Sequence, residues 1–221
     1  MKFARVKNEP ALLLKYVKQG ARIIDVGCGE GALVKFLLNS GFKAYGVDRK
    51  PVIKKSLKKS ENRKLTGRLF SGRAEKIPFN DNTFDYAVYF ASFHHIEPSR
   101  MLKALKESKR ALRKNGKVII VEPCPVKGHY YELLRLVNDE KRIQIAAYSL
   151  IRKFHQGYFR DFSEKYFYMN RTSEDYNALL EKYVKLKADR IRLMSIAGRK
   201  IKSRRYPDIM KSTVRVIVLS N

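Results

Sequence analysis

Three groups of residues in this chain have types and spacings that could do chemistry. The first is Asp25-Val26-Gly27-Cys28-Gly29-Glu30-Gly31, an acid followed by glycines at alternate positions. Glycine lacks a Cβ, so it accepts positive φ and lets a ligand lie against the backbone. The second is Asp48, roughly twenty residues past the loop, where an acid at a strand end can accept both hydroxyls of a ribose. The third is the pair His94-His95, side chains whose proton affinity suits general acid–base work near neutral pH. On the loop alone two readings stay open. Gly27-x-Gly29-x-x-Ala32 fits a loose dinucleotide fingerprint, while Gly27-x-Gly29-x-Gly31 behind Asp25 is a different spacing of the same glycines, and the rest of the chain must decide between them.

Local elements must hold these residues in place. Ala21 to Val26 reads as a buried strand, and Ala32 to Asn39 as a helix opening directly from the glycine turn, so that its free N–H groups and partial positive charge face the ligand. Lys43 to Asp48 reads as a second strand, completing a βαβ unit with Asp48 at its carboxyl end. Arg49 to Lys64 reads as a basic helix with Pro51 in its first turn. It is a solvated face or, alternatively, a phosphate-contacting patch. Within Leu69 to Phe79 a short strand is followed by a loop, and the stretch carries Ala74 and Glu75. The apolar run Tyr86 to Phe90 has the pattern of a strand buried on both faces, and Ala91, Ser92, His94 and His95 follow at its end. Ser99 to Arg113 shows helical spacing, Asn115-Gly116 turns the chain, and Lys117 to Pro123 reads as the fifth strand.

The flanking regions are less specific. Asn8 to Gln19 has a helical stripe, so residues 1–20 are expected to form an N-terminal helix. Residues 124–171 are expected to be a helical insertion or lid after the fifth strand. Its aromatic residues, among them Tyr166, Phe167 and Tyr168, would cover an apolar substrate, stack on bases or fill the core. Thr172 to Asp175 reads as a helix start. Residues 185–193 and 213–219 are expected to form a final antiparallel hairpin, with a dense basic loop at 199–205 between them.

Composition bounds the class. The 221 residues, 44% of them hydrophobic, suit a single domain over 1–221 with a full core. No apolar run is long enough to span a bilayer, the N-terminus lacks a signal-peptide core, and the two cysteines have no metal-type spacing. The expectation is a cytoplasmic protein with no metal. With 48 Lys and Arg against 21 acids, the net charge is +27. A field of this sign favours polyanions, so RNA or an anionic membrane surface is an alternative partner to a small molecule.

Several segments in order carry a family resemblance: Asp-Val-Gly-Cys-Gly-Glu-Gly at 25–31, Asp48, Ala-Glu-Lys-Ile-Pro-Phe at 74–79, Phe-Asp-Tyr-Ala-Val-Tyr at 84–89 with His-His-Ile after it, and Leu-Arg-Lys-Asn-Gly-Lys-Val-Ile-Ile at 112–120. Together they resemble class I S-adenosylmethionine-dependent methyltransferases of the ubiquinone/menaquinone-biosynthesis (type 11) branch. The resemblance implies an α/β fold: a Rossmann-like doubly wound sheet, mostly parallel with an antiparallel last strand, plus the helical insertion. It implies S-adenosylmethionine as cofactor. Asp25 would hold the amino-acid end, and Gly27, Cys28, Gly29 and Gly31 would pass under the methionine part. Asp48 with Arg49 beside it would take the ribose, Ala74 and Glu75 the adenine, and Ala91 and Ser92 the sulfonium region. His94 or His95 would serve as base or orient the acceptor, with Tyr89, Glu122, His129 and Tyr130 as weaker candidates. One departure stands out. Relatives often place an acceptor Asp before the adenine-side Ala, and this chain has Arg73, which cannot accept a hydrogen bond. No Asn/Asp-Pro-Pro-aromatic motif follows the fourth strand, so the commonest base-amino methylase signature is missing. The reading is methyl transfer to a small-molecule or lipid-like acceptor, with an RNA methyltransferase as the alternative and a non-catalytic cofactor-binding regulator as the second.

Overall fold

The computed structural model describes residues 4–5, 9–124, 131, 134–136, 138–171, 175–176, 178, 180–181, 184, 189–195 and 210–220. The expected basic loop at 199–205, the helix start at 172–174 and the candidates His129 and Tyr130 lie outside them.

Eight strands form one sheet in the order β1-β7-β8-β6-β5-β2-β3-β4. They are β1 (Ala4–Arg5), β2 (Arg22–Val26), β3 (Lys43–Asp48), β4 (Leu69–Ser71), β5 (Phe84–Phe90), β6 (Leu112–Pro123), β7 (Asp161–Arg171) and β8 (Met210–Ser220). Strands β2 to β6 run parallel, and β8 runs antiparallel to both β6 and β7. The chain winds outward from β2 through β3 to β4, then returns to β5 on the other side of β2. Neighbouring loops diverge at that reversal and open a crevice at the strands' carboxyl ends. The expected fold class, a Rossmann-like, mostly parallel sheet, is the one observed.

Among the described residues, helices include α1 (Glu9–Leu13), α2 (Ala32–Asn39), α3 (Lys50–Leu57), α4 (Pro98–Ala111) and α5 (Lys141–Tyr158). Strand alternation sends side chains to two core layers. Ile23 and Val88 join Leu33, Val34 and Leu37 of α2 on one face, while Ile24 and Ala87 join Met101 and Leu105 of α4 on the other. Each fully buried aliphatic side chain of this kind contributes about 1.5–3 kcal/mol, so the central strands are held by both layers.

Four expectations need correction. The N-terminal helix is one short turn-and-a-half, Glu9–Leu13, and the chain leaves it through turns at 14–16. Leu12 and Leu13 are fully buried, and Tyr16 packs edge-on against Phe167. The basic helix stops at Leu57. Lys59 is extended, and a 3-10 turn follows at Ser60–Leu65, because the Asn62 amide donates to Ser56 and to the Glu30 carbonyl and pulls the chain across the glycine loop.

The insertion is helical only in its first part. α5 fills 141–158, but 161–171 is a strand, and it is this strand that pairs with β8, register Phe167 to Val214. Its burial alternates with the strand period, Phe167 and Met169 facing the core. Finally, residues 189–195 are helical, with Ile191 and Met194 exposed, so the expected strand at 185–193 does not form over its described part. Local β-propensity at those positions had no partner to pair with, because β7 already occupies the edge of β8.

Candidate active site

The glycine loop is built by backbone demands. Gly27 sits at φ +79 and a Cβ there would lie 2.8 Å from the Ser92 Cβ. Gly31, at φ +84, is the left-handed residue from which α2 starts. The loop is then tied down on two sides. The Gly27 and Cys28 amides donate to the Val47 carbonyl at 2.8 and 3.2 Å, and the Gly29 amide donates to Asp48 Oδ2 at 2.8 Å. Asp48 Oδ1 accepts from the Arg49 amide at 2.7 Å. Each carboxylate oxygen keeps further lone-pair capacity for a ligand hydroxyl.

On the other side, Ser92 Oγ donates to the Val26 carbonyl at 2.6 Å and closes the ends of β2 and β5 over Gly27. Ala91 has φ +49, a left-handed conformation that costs a non-glycine residue about 1–3 kcal/mol and persists where surrounding structure imposes it. The Ala91 amide donates to the Val121 carbonyl at 2.8 Å, which holds that turn.

Between these walls lies a cleft of about 680 Å³. The structure brings Gly27, Gly29, Asp48, Arg49, Ala74 and Glu75 together in its lining with Ala91, Ser92 and His95. Three expected cofactor residues, and the catalytic candidate His94, are not in the lining. Cys28 and Gly31 are buried beneath the loop, Gly31 under Leu65 and Leu69. Asp25 is also buried, and its Oδ1 has no hydrogen-bond partner among the described residues. Burial, reinforced by the Asp48 charge, pushes the Asp25 carboxyl up to about 8. Burial first, then the charges of Asp25 and Asp48, raises the Cys28 thiol far above its usual range, so it is an inert packing group.

The two histidines separate. His95 is exposed and lines the cleft. Burial and the neighbouring His94 lower its pKa. His94 points away from the cleft and is 4% exposed. Its Nδ1 meets Glu122 Oε2 on β6, and its Nε2 lies 3.3 Å from Glu140 Oε2 just before α5. Burial opposes its charge, but Glu122 and Glu140 outweigh burial and raise its pKa to about 9. Glu122 Oε1 also accepts the Phe93 amide at 2.9 Å, so one carboxylate holds both the ring and the 3-10 turn at Phe93–His95. Tyr89 is fully buried, bonded to Ser108 and the Ala104 carbonyl of α4, and takes no part in the cleft.

Arg73, the departure noted in the sequence, lies in the cleft wall although it cannot play the part of an adenine acceptor. Other lining residues, Arg100 among them, were not singled out beforehand. Arg100 reaches the rim from α4 and pairs with Glu75 at 3.3 Å and Glu97 at 3.1 Å. A positional signal existed for Glu122, an acid at the end of an apolar strand. For Glu140 there was none, since only the docking of α5 brings it to His94.

Comparison with known proteins agrees with this architecture. Residues 24–120 match the family described as a methyltransferase domain. An uncharacterised protein of Methanocaldococcus jannaschii is 34% identical over 151 residues, covering 67% of this chain and 56% of that protein. Demethylmenaquinone methyltransferase of Geobacillus is 35% identical over 112 residues, covering 48% of this chain and 47% of the enzyme. The chain spans about half or less of the curated relatives it matches, 39 to 56% of their length among the most similar. Among solved structures, the YcgJ protein of Bacillus subtilis superposes with a TM-score of 0.64 at 18% identity, covering 96% of this chain and 97% of that one, a likeness of fold. The glycine loop and the strand-end acid both lie within residues 24–120, the segment that matches the methyltransferase-domain family.

Proposed function

We propose that the protein transfers a methyl group from S-adenosylmethionine to a small-molecule or lipid-like acceptor. The observation that carries this reading is the cleft at the β2/β5 reversal, where the glycine loop, Asp48 and the Ala91–Ser92 turn converge. The residues fit the cofactor on their own chemistry. Gly27 leaves the room that any Cβ would fill, Asp48 has acceptor capacity for vicinal hydroxyls, and the unpartnered Asp25 oxygen lies beneath the loop. When bound, the cofactor supplies a methyl carbon already activated by a sulfonium. The chain's own residues then have three tasks. Asp48 and the loop amides hold the adenosyl part, Ala91 and Ser92 shape the wall beside the transfer point, and His95 orients the acceptor or takes its proton. Alignment and exclusion of water provide most of the acceleration in such a displacement.

The rim carries Arg49, Arg73 and Arg100, which favours an acceptor bearing negative charge. The same arginines, the exposed Lys54 and Lys55 of α3 with Lys58 just past its end, and the net charge of +27 support a second reading, methylation of RNA. Calorimetric titration with S-adenosylmethionine should show binding; silence there, with heat from NADH instead, would reject the class. A labelled-methyl assay on fractionated cell extract should place label in the small-molecule or lipid pool. Label in the RNA pool, with binding that weakens steeply as salt rises, would select the second reading.

A further inference from the structure

The cluster of His94, His95 and Glu140 is not used by the adenosyl half of the cleft, and its geometry is unusual. Successive side chains on a 3-10 turn diverge by about 120°. Yet the rings of His94 and His95, adjacent on such a turn, lie with centroids 4.1 Å apart, aimed toward the same carboxylate. His94 Nε2 is 3.3 Å from Glu140 Oε2, and His95 Nε2 is 3.7 Å from Glu140 Oε1. All three donor groups lie within 4.8 Å of one another. His94 Nε2 is buried and, among the described residues, makes no aligned hydrogen bond.

The surroundings match what a metal needs around its ligands. Ionised Glu122 can only accept, so the Nδ1 of His94 donates to it and its Nε2 faces the cluster. A carboxylate behind a histidine in this way orients the ring and raises its basicity toward a metal. Glu140 is steadied in turn by the Asn138 amide at 3.0 Å and the Gln144 amide at 3.4 Å. Two imidazoles and one carboxylate form a donor set suited to zinc and its neighbours in the transition series. With metal–ligand bonds of about 2.0–2.2 Å, a tetrahedral site spaces its ligand atoms about 3.3–3.6 Å apart. The observed 3.3 and 3.7 Å need little adjustment.

We propose that His94, His95 and Glu140 bind one divalent transition-metal ion of the zinc type, with Glu122 as the positioning residue behind His94. Three protein donors leave a fourth position free, the arrangement of catalytic rather than structural zinc. His95 belongs to both the cluster and the cleft lining, so the ion stands at the border of the acceptor side. There it would hold an acceptor oxygen and lower its pKa, and His95 would serve as a ligand instead of a base. That role rests on the methyltransferase reading; the binding of the ion does not.

The test uses the purified full chain, freed of metal by a chelator and titrated with Co²⁺. One equivalent should bind with the intense visible ligand-field absorption of a tetrahedral site, and Zn²⁺ should displace it. Glu122→Gln should weaken Co²⁺ binding by about 10–100-fold. His95→Ala and Glu140→Gln should weaken it at least as much. His95 is exposed, so His95→Ala tests the site without disturbing the core, and His155→Ala, at a half-buried histidine on α5 away from the cluster, should leave Co²⁺ binding unchanged. Absence of one-equivalent binding, or binding unchanged in both His95→Ala and Glu140→Gln, would overturn the site and leave His94 as an imidazolium clasped by two carboxylates. Calorimetry with S-adenosylmethionine on the same samples separates the two readings. Cobalt binding without cofactor binding would strike the methyltransferase reading alone, and cofactor binding without cobalt binding would strike the metal site alone.

Discussion

The glycine-loop wall of the cleft is made of backbone, whereas the histidine wall, which His95 lines, is held from behind by side chains of three separate elements. On the first wall, amides of residues 27–29 bond to the Val47 carbonyl and to Asp48, the side chain that those amides reach. On the second, His94 from the 3-10 turn, Glu122 from β6 and Glu140 before α5 must all arrive together. The difference teaches where each wall is vulnerable. A backbone wall tolerates substitution wherever φ and space allow, and fails through one acid. A side-chain wall fails wherever one member is removed, since its partners are then left buried and unpaired.

The largest expected effect is on the histidine wall. Glu122→Ala strands the His94 ring and the Phe93 amide away from water and should destabilise the fold by about 3 kcal/mol. For a chain of this size that lowers Tm by about 6–12 °C in a thermal melt. A melt unchanged within a degree would mean that the wall is not side-chain built. Next comes the glycine-loop wall. Asp48→Ala removes acceptors for ligand hydroxyls and should weaken S-adenosylmethionine binding by about 2 kcal/mol, roughly 30-fold by calorimetry. Equal affinity in the variant would show that backbone alone carries that wall.

Read per pH unit, the smallest effect sharpens the comparison beneath the loop. The Asp25 carboxyl titrates near 8 in the folded chain and near 4 when unfolded. Between those values the folded state holds the extra proton, so stability is greatest at the acid end and falls as pH rises toward 8. The slope from this group is at most about 1.4 kcal/mol per pH unit. Denaturant melts across that range should show this decline, and Asp25→Asn, which cannot ionise, should flatten it. A slope that survives in Asp25→Asn would assign the effect to another group.

Much of the adenosyl side was legible beforehand because its signals are local. Glycines at 27, 29 and 31, a strand before and a helix after, and an acid at the end of the next strand all lie within one βαβ unit. The acceptor side was less legible. The histidine pair was noticed, but only packing shows that His95 faces the cleft while His94 turns inward to Glu122. Within the expected helical insertion of 124–171, the reading of 161–171 failed for the same reason, while 141–158 is helical. Phe167 and Met169 alternate as a strand must, but an aromatic-rich stretch becomes a strand only if a partner edge is free, and that edge is β8, some fifty residues further on.

By itself, the sequence determined a parallel α/β core, a glycine turn opening a helix, and Asp48 beside it. Backbone φ limits, strand alternation and helix periodicity act within a few residues and leave a direct trace in the chain. Tertiary structure alone decided that β7 completes the sheet and that 189–195 does not. It also decided that His94, Glu122 and Glu140 meet. Those outcomes depend on contacts between residues far apart in the chain, where burial and electrostatic pairing, rather than local preference, select the partner.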